Sequence, residues 1–250
     1  MEITLLLISL FTVTLAEFIQ LSPDQEKEAT LALENPDLYD GDMAGIDGPL
    51  DIERNVIASK RWRWPNATIP YVIHSSIRSS RVALIKKAMD NFHNNTCIQF
   101  VPRTDERNYV SIFIGTGCYS HVGKINGPQK LSLANGCYQF GTIVHELGHT
   151  IGFFHEQNRS DRDEYLIIYL ENVKQSVKYA FRKLNPESNI LYNSFDYDSI
   201  MIYGNKAFSK NGKDTMVAKN GQKLVHPAKK PGLSKNDIER ANKMYKCNSY

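Results

Sequence analysis

The chain is predicted to be an α+β fold of two lobes. A twisted mixed sheet with helices forms the N-terminal lobe, the C-terminal lobe is mostly irregular, and a cleft runs between them. Three observations lead there. Short runs rich in β-branched and aromatic residues cluster before residue 135. One apolar helical segment then begins near Gly141 and carries His145-Glu146-Leu147-Gly148-His149. The half that follows is mostly without a clear period.

The elements follow in chain order. Residues 3–16 are almost wholly apolar or small. The run is too short to cross a membrane and suits a secretory signal, although Glu2 is an unusual flank. Thr14 and Ala16 place cleavage after Ala16, so residues 1–16 are expected to be a signal peptide. Residues 17–54 hold 11 acidic and two basic residues, a net charge of −9, with turns at Asn35-Pro36-Asp37 and Gly41-Asp42 but no clear helical or strand period. Residues 55–250 carry a net +13. This opposition predicts that the acidic leader docks on the basic body as an inhibitory segment.

In the body, Ile69–Ile73 starts as a strand. Ser80 is expected to cap a helix whose face is Val82, Ile85, Met89 and Phe92. Ile98–Val101, Val110–Ile114 and Leu131–Leu133 read as strands, with a loop at Gly123–Gly127. The histidine helix is predicted from Gly141 to Phe153 and another helix over Val173–Leu184. Ser234 opens a last helix with Ile238, Ala241 and Tyr245 on one face. Lys86-Lys87 and Lys229-Lys230 are read as solvated pairs, and Arg159, Asp161, Arg162 and Asp163 as a loop ion-pair cluster.

The chemistry is concentrated in residues 145–156. His145 and His149, four apart, share a helix face and can bind one ion together. Glu146 lies one step round the helix, placed to take a proton from water rather than to bind metal. On a continuous helix His155 would lie about 280° round from His145. It can reach the same ion only if the helix stops, and Gly152 supplies the stop. The pattern calls for a downstream methionine turn, for which Ser199-Ile200-Met201-Ile202-Tyr203 is the candidate. Cys97, Cys118, Cys137 and Cys247 are an even set that suggests two disulfides, with three pairings open. Asn66, Asn94 and Asn158 begin glycosylation sequons. The third falls just after the histidine helix near the cleft and is read as unused.

These residues resemble the astacin family of zinc endopeptidases, a metzincin group. The similarity extends to Gly117–Gly123, Asn135-Gly136-Cys137, Gly141–Val144, Glu156–Asp163 and Gly232–Ile238, and in the leader to Tyr39-Asp40-Gly41-Asp42. It covers about residues 55–247, which implies a catalytic domain over 55–250 and an inhibitory propeptide over 17–54. The resemblance implies one zinc ion on His145, His149 and His155, Glu146 as general base, and Tyr203 as a fifth ligand or oxyanion donor. Met201 would pack beneath the metal, and Asp42 would bind it in the zymogen. Ile202 stands where the family often has histidine. Cleavage after Arg54 would free Asn55 to approach Glu156, with Lys60 or Arg61 as alternative cut sites. The cysteines would pair as Cys97–Cys247 and Cys118–Cys137, worth roughly 5 and 3 kcal/mol by loop entropy.

Other chemistries lack their motifs. No Gly-x-Ser-x-Gly and no Gly-x-x-x-x-Gly-Lys occurs. A non-catalytic zinc-binding protein is the alternative, and it should have lost Glu146 or Tyr203. The expected product is a secreted, monomeric zymogen of a zinc endopeptidase. Its partners would be protein and peptide substrates, extracellular matrix among them, and a trypsin-like activating protease, with no nucleic acid and no membrane anchor. Digestion, hatching, matrix remodelling and venom stay open as roles, and Asn66 and Asn94 are the glycosylation candidates.

Overall fold

Six strands join in one mixed sheet in the computed structural model, which describes residues 18–46, 62–187 and 189–247. They are β1 (Met43–Ala44), β2 (Thr68–Ile73), β3 (Gln99–Pro102), β4 (Tyr109–Phe113), β5 (Cys118–His121) and β6 (Pro128–Leu133). Across the sheet the order is β1-β5-β6-β4-β2-β3. Within this sheet, among the described residues, only β5 and β6 pair antiparallel, with Cys118 opposite Leu133. A leader strand, β1, therefore caps the edge that β5 would otherwise expose. The expected signal segment and the junction around Arg54, Asn55, Lys60 and Arg61 lie outside the described residues.

Four α-helices complete the frame: α1 (Pro23–Leu33), α2 (Ser79–His93), α3 (Phe140–Ile151) and α4 (Lys235–Tyr245). Ile85, Met89 and Phe92 of α2 and Ile143, Val144, Leu147 and Ile151 of α3 pack with Ile69, Phe100, Val110, Ile112, Leu131 and Leu133 of the sheet in one buried cluster. At about 25 cal/mol per Å² of apolar area, this burial dominates the stability of the frame. Two disulfides tie the frame together: Cys118–Cys137 joins β5 to the turn before α3, and Cys97–Cys247 joins the segment after α2 to the tail beyond α4.

Several elements differ from expectation, the leader strand β1 among them. Ser80 lies inside α2, whose first turn is preceded by Arg78 with no side-chain cap. Residues 173–184 form no α-helix but a 3-10 stretch, Gln175–Phe181, broken at Val177. Side chains hold the end of this stretch: Asn158 Nδ2 donates to the Ala180 and Arg182 carbonyls, and Arg162 to that of Phe181. Strand β5 was not foreseen because its inward residues are Cys118 and Ser120, and a serine breaks the apolar alternation. The Ser120 hydroxyl instead meets Thr150 Oγ1 of α3 at 2.9 Å. Helix α1 was also missed, although Ser22-Pro23-Asp24-Gln25 forms a complete capping box with proline in its first turn.

Candidate metal centre and cleft

Helix α3 ends where glycine permits it. Gly152 adopts φ 112° and ψ 16°, a left-handed conformation that disfavours any residue with a Cβ. The chain then extends, and His155, at φ −63° and ψ 142°, turns back over the face that carries His145 and His149. All three imidazoles are buried. Their Nε2 atoms converge, at 3.2 Å between His149 and His155 and 3.3 Å between His155 and His145. Nitrogens bound to a tetrahedral zinc at 2.0–2.1 Å lie about 3.3 Å apart.

The tautomers agree with that spacing. His145 Nδ1 donates to the Ile200 carbonyl and His149 Nδ1 to the Phe153 carbonyl, each at 2.8 Å. A carbonyl only accepts, so the proton sits on Nδ1 and the Nε2 lone pair faces inward. Asp42 adds a carboxylate to the same point, 2.9 Å from His145 Nε2, 3.1 Å from His155 Nε2 and 3.4 Å from His149 Nε2. The four donor atoms lie within 4.8 Å of one another. Buried acceptors turned on one another require a cation at their centre. Three imidazoles with a carboxylate fit one zinc ion.

The remaining residues surround this point. Glu146 is buried, and neither carboxylate oxygen has a hydrogen-bond partner among the described residues. Burial, and then the charge of Asp42, push its carboxyl well above the usual range. Burial would also raise Asp42, but the adjoining His155 and His149 and the bonds with His145 and His149 outweigh it and hold Asp42 well below. Tyr203 donates its hydroxyl to Asp42 and, at 3.2 Å, to the Leu33 carbonyl. Burial and the Asp42 charge push that phenol well above its ordinary value. Met201 is buried against the histidine helix, its Sδ only 2.7 Å from where a side chain on Gly148 would begin. Ile202 is buried in the core.

Other expected residues are placed as follows. Glu156 pairs with Arg240 at 2.7 Å and Arg159 at 3.2 Å, while Asn55 lies outside the described residues. Arg159 also meets Asp161 and Arg162 meets Asp163, so the ion-pair cluster is present, with both guanidiniums buried. Asn66 and Asn94 are exposed, whereas Asn158 is buried with its Nδ2 engaged twice. Lys86 and Lys87 are exposed as expected, but the reading of Lys229-Lys230 as solvated is corrected. Lys229 pairs with leader residue Glu26 at 2.6 Å. Lys230 is buried and donates to the Ser199 and Ile202 carbonyls.

Two residues near the centre escaped the sequence reading. Asp40 is buried, 4.0 Å from His155 Nδ1, and burial followed by the Asp42 charge raises its carboxyl far above the usual range. Asp237 is buried and accepts from Ser199 and Ile200. Its position three residues after Ser234 was the available signal, since it completes a capping box.

The leader fills the cleft. The Ser120 amide donates to the Asp42 carbonyl at 3.0 Å, the Phe208 amide to Glu34 at 2.7 Å, and Tyr179 to the carbonyls of Pro36 and Leu38. Tyr39 and Met43 pack with Val122, Phe154 and Leu184 in a second apolar cluster. No helix among the described residues is long and apolar enough to cross a membrane.

Comparisons with known proteins agree with this geometry. The family model for Astacin, a peptidase family, matches residues 56–246. The chain is 46% identical over 215 residues to astacin-like metalloprotease toxin 1 of Loxosceles intermedia, covering 84% of this chain and 81% of the relative. It is 38% identical over 239 residues to blastula protease 10 of Paracentrotus lividus, covering 92% of this chain but only 38% of that longer protein. Among solved structures, high choriolytic enzyme 1, a hatching enzyme zinc-protease from Oryzias latipes, aligns with a TM-score of 0.68 at 41% identity. That alignment spans 74% of this chain and 94% of the other. Family match, sequence identity and a zinc-spaced histidine trio converge on one conclusion: the chain belongs to the astacin family and is a zinc metalloprotease.

Proposed function

We propose that the chain is a secreted zymogen of a zinc endopeptidase, held inactive by residues 17–54 and hydrolysing peptide bonds of extracellular proteins once they are removed. The observation that carries this reading is Asp42, seated against His145, His149, His155 and the Tyr203 hydroxyl at once. A substrate cannot reach a centre that Asp42 occupies. Residues 1–16 serve as the signal peptide, and cleavage after Arg54 by a trypsin-like protease frees Asn55. Two disulfides suit an extracellular setting. The similarity to a metalloprotease toxin of Loxosceles intermedia supports extracellular proteins as the substrate class. Exposed Asn66 and Asn94 carry glycans.

Zinc, when bound, supplies a Lewis acid that polarises a carbonyl and lowers the pKa of water. The chain supplies the rest. Glu146 takes the proton of the attacking water and returns it to the leaving amine. Burial is the larger cause that raises Glu146 and the Asp42 charge the second, so the departure of Asp42 shifts Glu146 toward the ionised form that acts as base. Tyr203, freed from Asp42, turns its O–H to the developing oxyanion. His145 and His149 keep their rings fixed through the Ile200 and Phe153 carbonyls.

The test is direct. Trypsin treatment of the full chain should start peptide cleavage, and N-terminal sequencing of the product should begin at Asn55. Glu146→Gln should keep stoichiometric zinc and lose at least about 100-fold in kcat. Near wild-type turnover in Glu146→Gln would reject its role as base, and full activity of the uncut chain would reject the zymogen.

A further inference from the structure

The turn at Ser199–Tyr203 places three functional parts: the Ile200 carbonyl that orients His145, Met201 against Gly148 of the histidine helix, and Tyr203, whose hydroxyl meets Asp42. Hydrogen bonds from several segments hold the turn itself. Ser199 N–H donates to the Asp196 carbonyl at 3.2 Å, and Ile202 N–H to the Ser199 carbonyl at 3.2 Å. Met201 N–H donates to Ser199 Oγ at 3.1 Å, and the Met201 carbonyl accepts from Glu156 N–H at 3.1 Å. Tyr203 N–H donates to Gln157 Oε1 at 3.2 Å. The other bonds go to two charged side chains. Asp237 Oδ2 accepts from Ile200 N–H at 2.7 Å, and Asp237 Oδ1 from the Ser199 hydroxyl at 2.6 Å. Lys230 Nζ donates to the Ser199 carbonyl and, at 3.1 Å, to the Ile202 carbonyl. Both side chains are buried.

We infer that Lys230 and Asp237 are positioning residues that clamp the Ser199–Tyr203 turn, the carboxylate gripping its donors and the amine its acceptors, and so fix the Ile200 carbonyl against His145. A buried charge is expensive unless paired and hydrogen-bonded. Here each charge is met by two turn groups, so the turn is held where both are satisfied. The Ile200 peptide carries the coupling: its N–H goes to Asp237 and its C=O to His145 Nδ1, 2.8 Å away. Tilting this peptide moves the ring that presents Nε2 to the metal.

The clamp is anchored at both ends. Asp237 is the third residue of α4, where it completes a capping box with Ser234 and benefits from the helix N-terminus. Lys230 ends the turn Pro227–Lys229. A side chain on Gly141 would begin 2.1 Å from the Pro227 carbonyl and 2.6 Å from that of Lys230, so the first turn of α3 rests directly on this segment. Lys230 thus braces the histidine helix with its backbone and the methionine turn with its amine. The inference rests on the zinc site but not on the zymogen reading.

The test uses the full-length, zinc-loaded chain. Ser199→Ala, Asp237→Asn and Lys230→Met are compared with Phe92→Leu, a core change in α2 remote from the turn. Transfer of zinc to an excess of chelator is timed, the visible spectrum of the cobalt-substituted protein is recorded, and thermal midpoints are measured. Loss of an outer partner of a metal ligand weakens metal binding about 10- to 100-fold. The expected result is zinc release at least about 10-fold faster in the clamp variants, with an altered cobalt spectrum, while Phe92→Leu lowers the midpoint and leaves both unchanged. After processing, kcat should fall more than KM rises. Ser199→Ala removes one hydroxyl and keeps the test alive if Lys230→Met does not fold. Wild-type release rates and spectra in folded clamp variants overturn the inference. So does release that simply tracks the lowered midpoint as in Phe92→Leu. A wild-type chain that binds no zinc overturns it together with the metal site.

Discussion

Individual side chains in the C-terminal lobe are set by burial as much as by charge. His226, a neighbour of His145, shows this. It precedes the turn Pro227–Lys229, and its Nδ1 accepts from the Ala228 amide at 3.1 Å. Burial, then the neighbouring His145, Lys230 and Lys229, push its imidazole down to about 3. An unfolded histidine titrates near 6.5. Between those values the unfolded chain binds a proton that the folded chain refuses, so stability falls as pH drops through the window. From pH 7 to 5 the full linkage would be about 2 kcal/mol, and solvent reaching part of the ring reduces it to about 1 kcal/mol. Asparagine can accept the same amide without titrating. His226→Asn should therefore lose about 1 kcal/mol less than wild type over that range, measured by urea unfolding of the full chain. Equal losses would remove His226 from the account of acid sensitivity.

At the scale of elements, the end of α3 decides whether the third histidine arrives. Gly152→Ala puts an L residue at φ 112° and a Cβ 2.6 Å from Met244 Cε. The methionine end can move, but the backbone strain stays, at roughly 1–2 kcal/mol. Relief of that strain displaces His155, so the variant should unfold about 1–2 kcal/mol more easily and release zinc faster, as read by chelator competition; an unchanged zinc off-rate would show that the His155 placement does not depend on this glycine. The stop was legible in the sequence because a single physical need, His155 returning to the ligand face, had a single residue able to meet it. Strands β2, β3, β4 and β6 were legible for a similar reason: their apolar residues reach the core. What escaped was polar. Ser120 points inward to Thr150, Asp237 lies buried at a helix start, and Lys230 is sunk between carbonyls. Each is a residue type that composition assigns to the surface, and each is buried because a specific partner from a distant segment meets it. Residues 173–184 failed in the opposite way: an apolar face is present, but the segment kinks at Val177 and Asn158 and Arg162 hold its end.

For the whole molecule, the leader's charge and the leader's contacts act on different parts of binding. Its net −9 faces a body of +13, yet only two ion pairs with lysine join them among the described residues, Glu26 with Lys229 and Glu34 with Lys174. The rest of the contact is apolar, backbone or buried polar: Tyr39 and Met43 against Val122, Phe154 and Leu184, β1 along β5, and the Asp42 carboxylate against the imidazoles at the centre. Distant charges speed encounter and are screened within about 8–10 Å at physiological salt. Buried contacts govern departure and are screened little. A synthetic peptide of residues 17–54 added to processed enzyme should therefore inhibit it with an association rate that falls about 10-fold between 20 mM and 500 mM salt, while its dissociation rate changes less than about 2-fold. Asp42→Ala in the peptide should do the reverse, leaving association nearly intact and speeding dissociation at least about 100-fold, because a buried carboxylate that meets three imidazoles and a phenol contributes well beyond a surface pair. Stopped-flow inhibition at several salt concentrations separates the two rates. Salt acting mainly on dissociation would mean that the acidic surface, not the cleft contacts, keeps the leader in place.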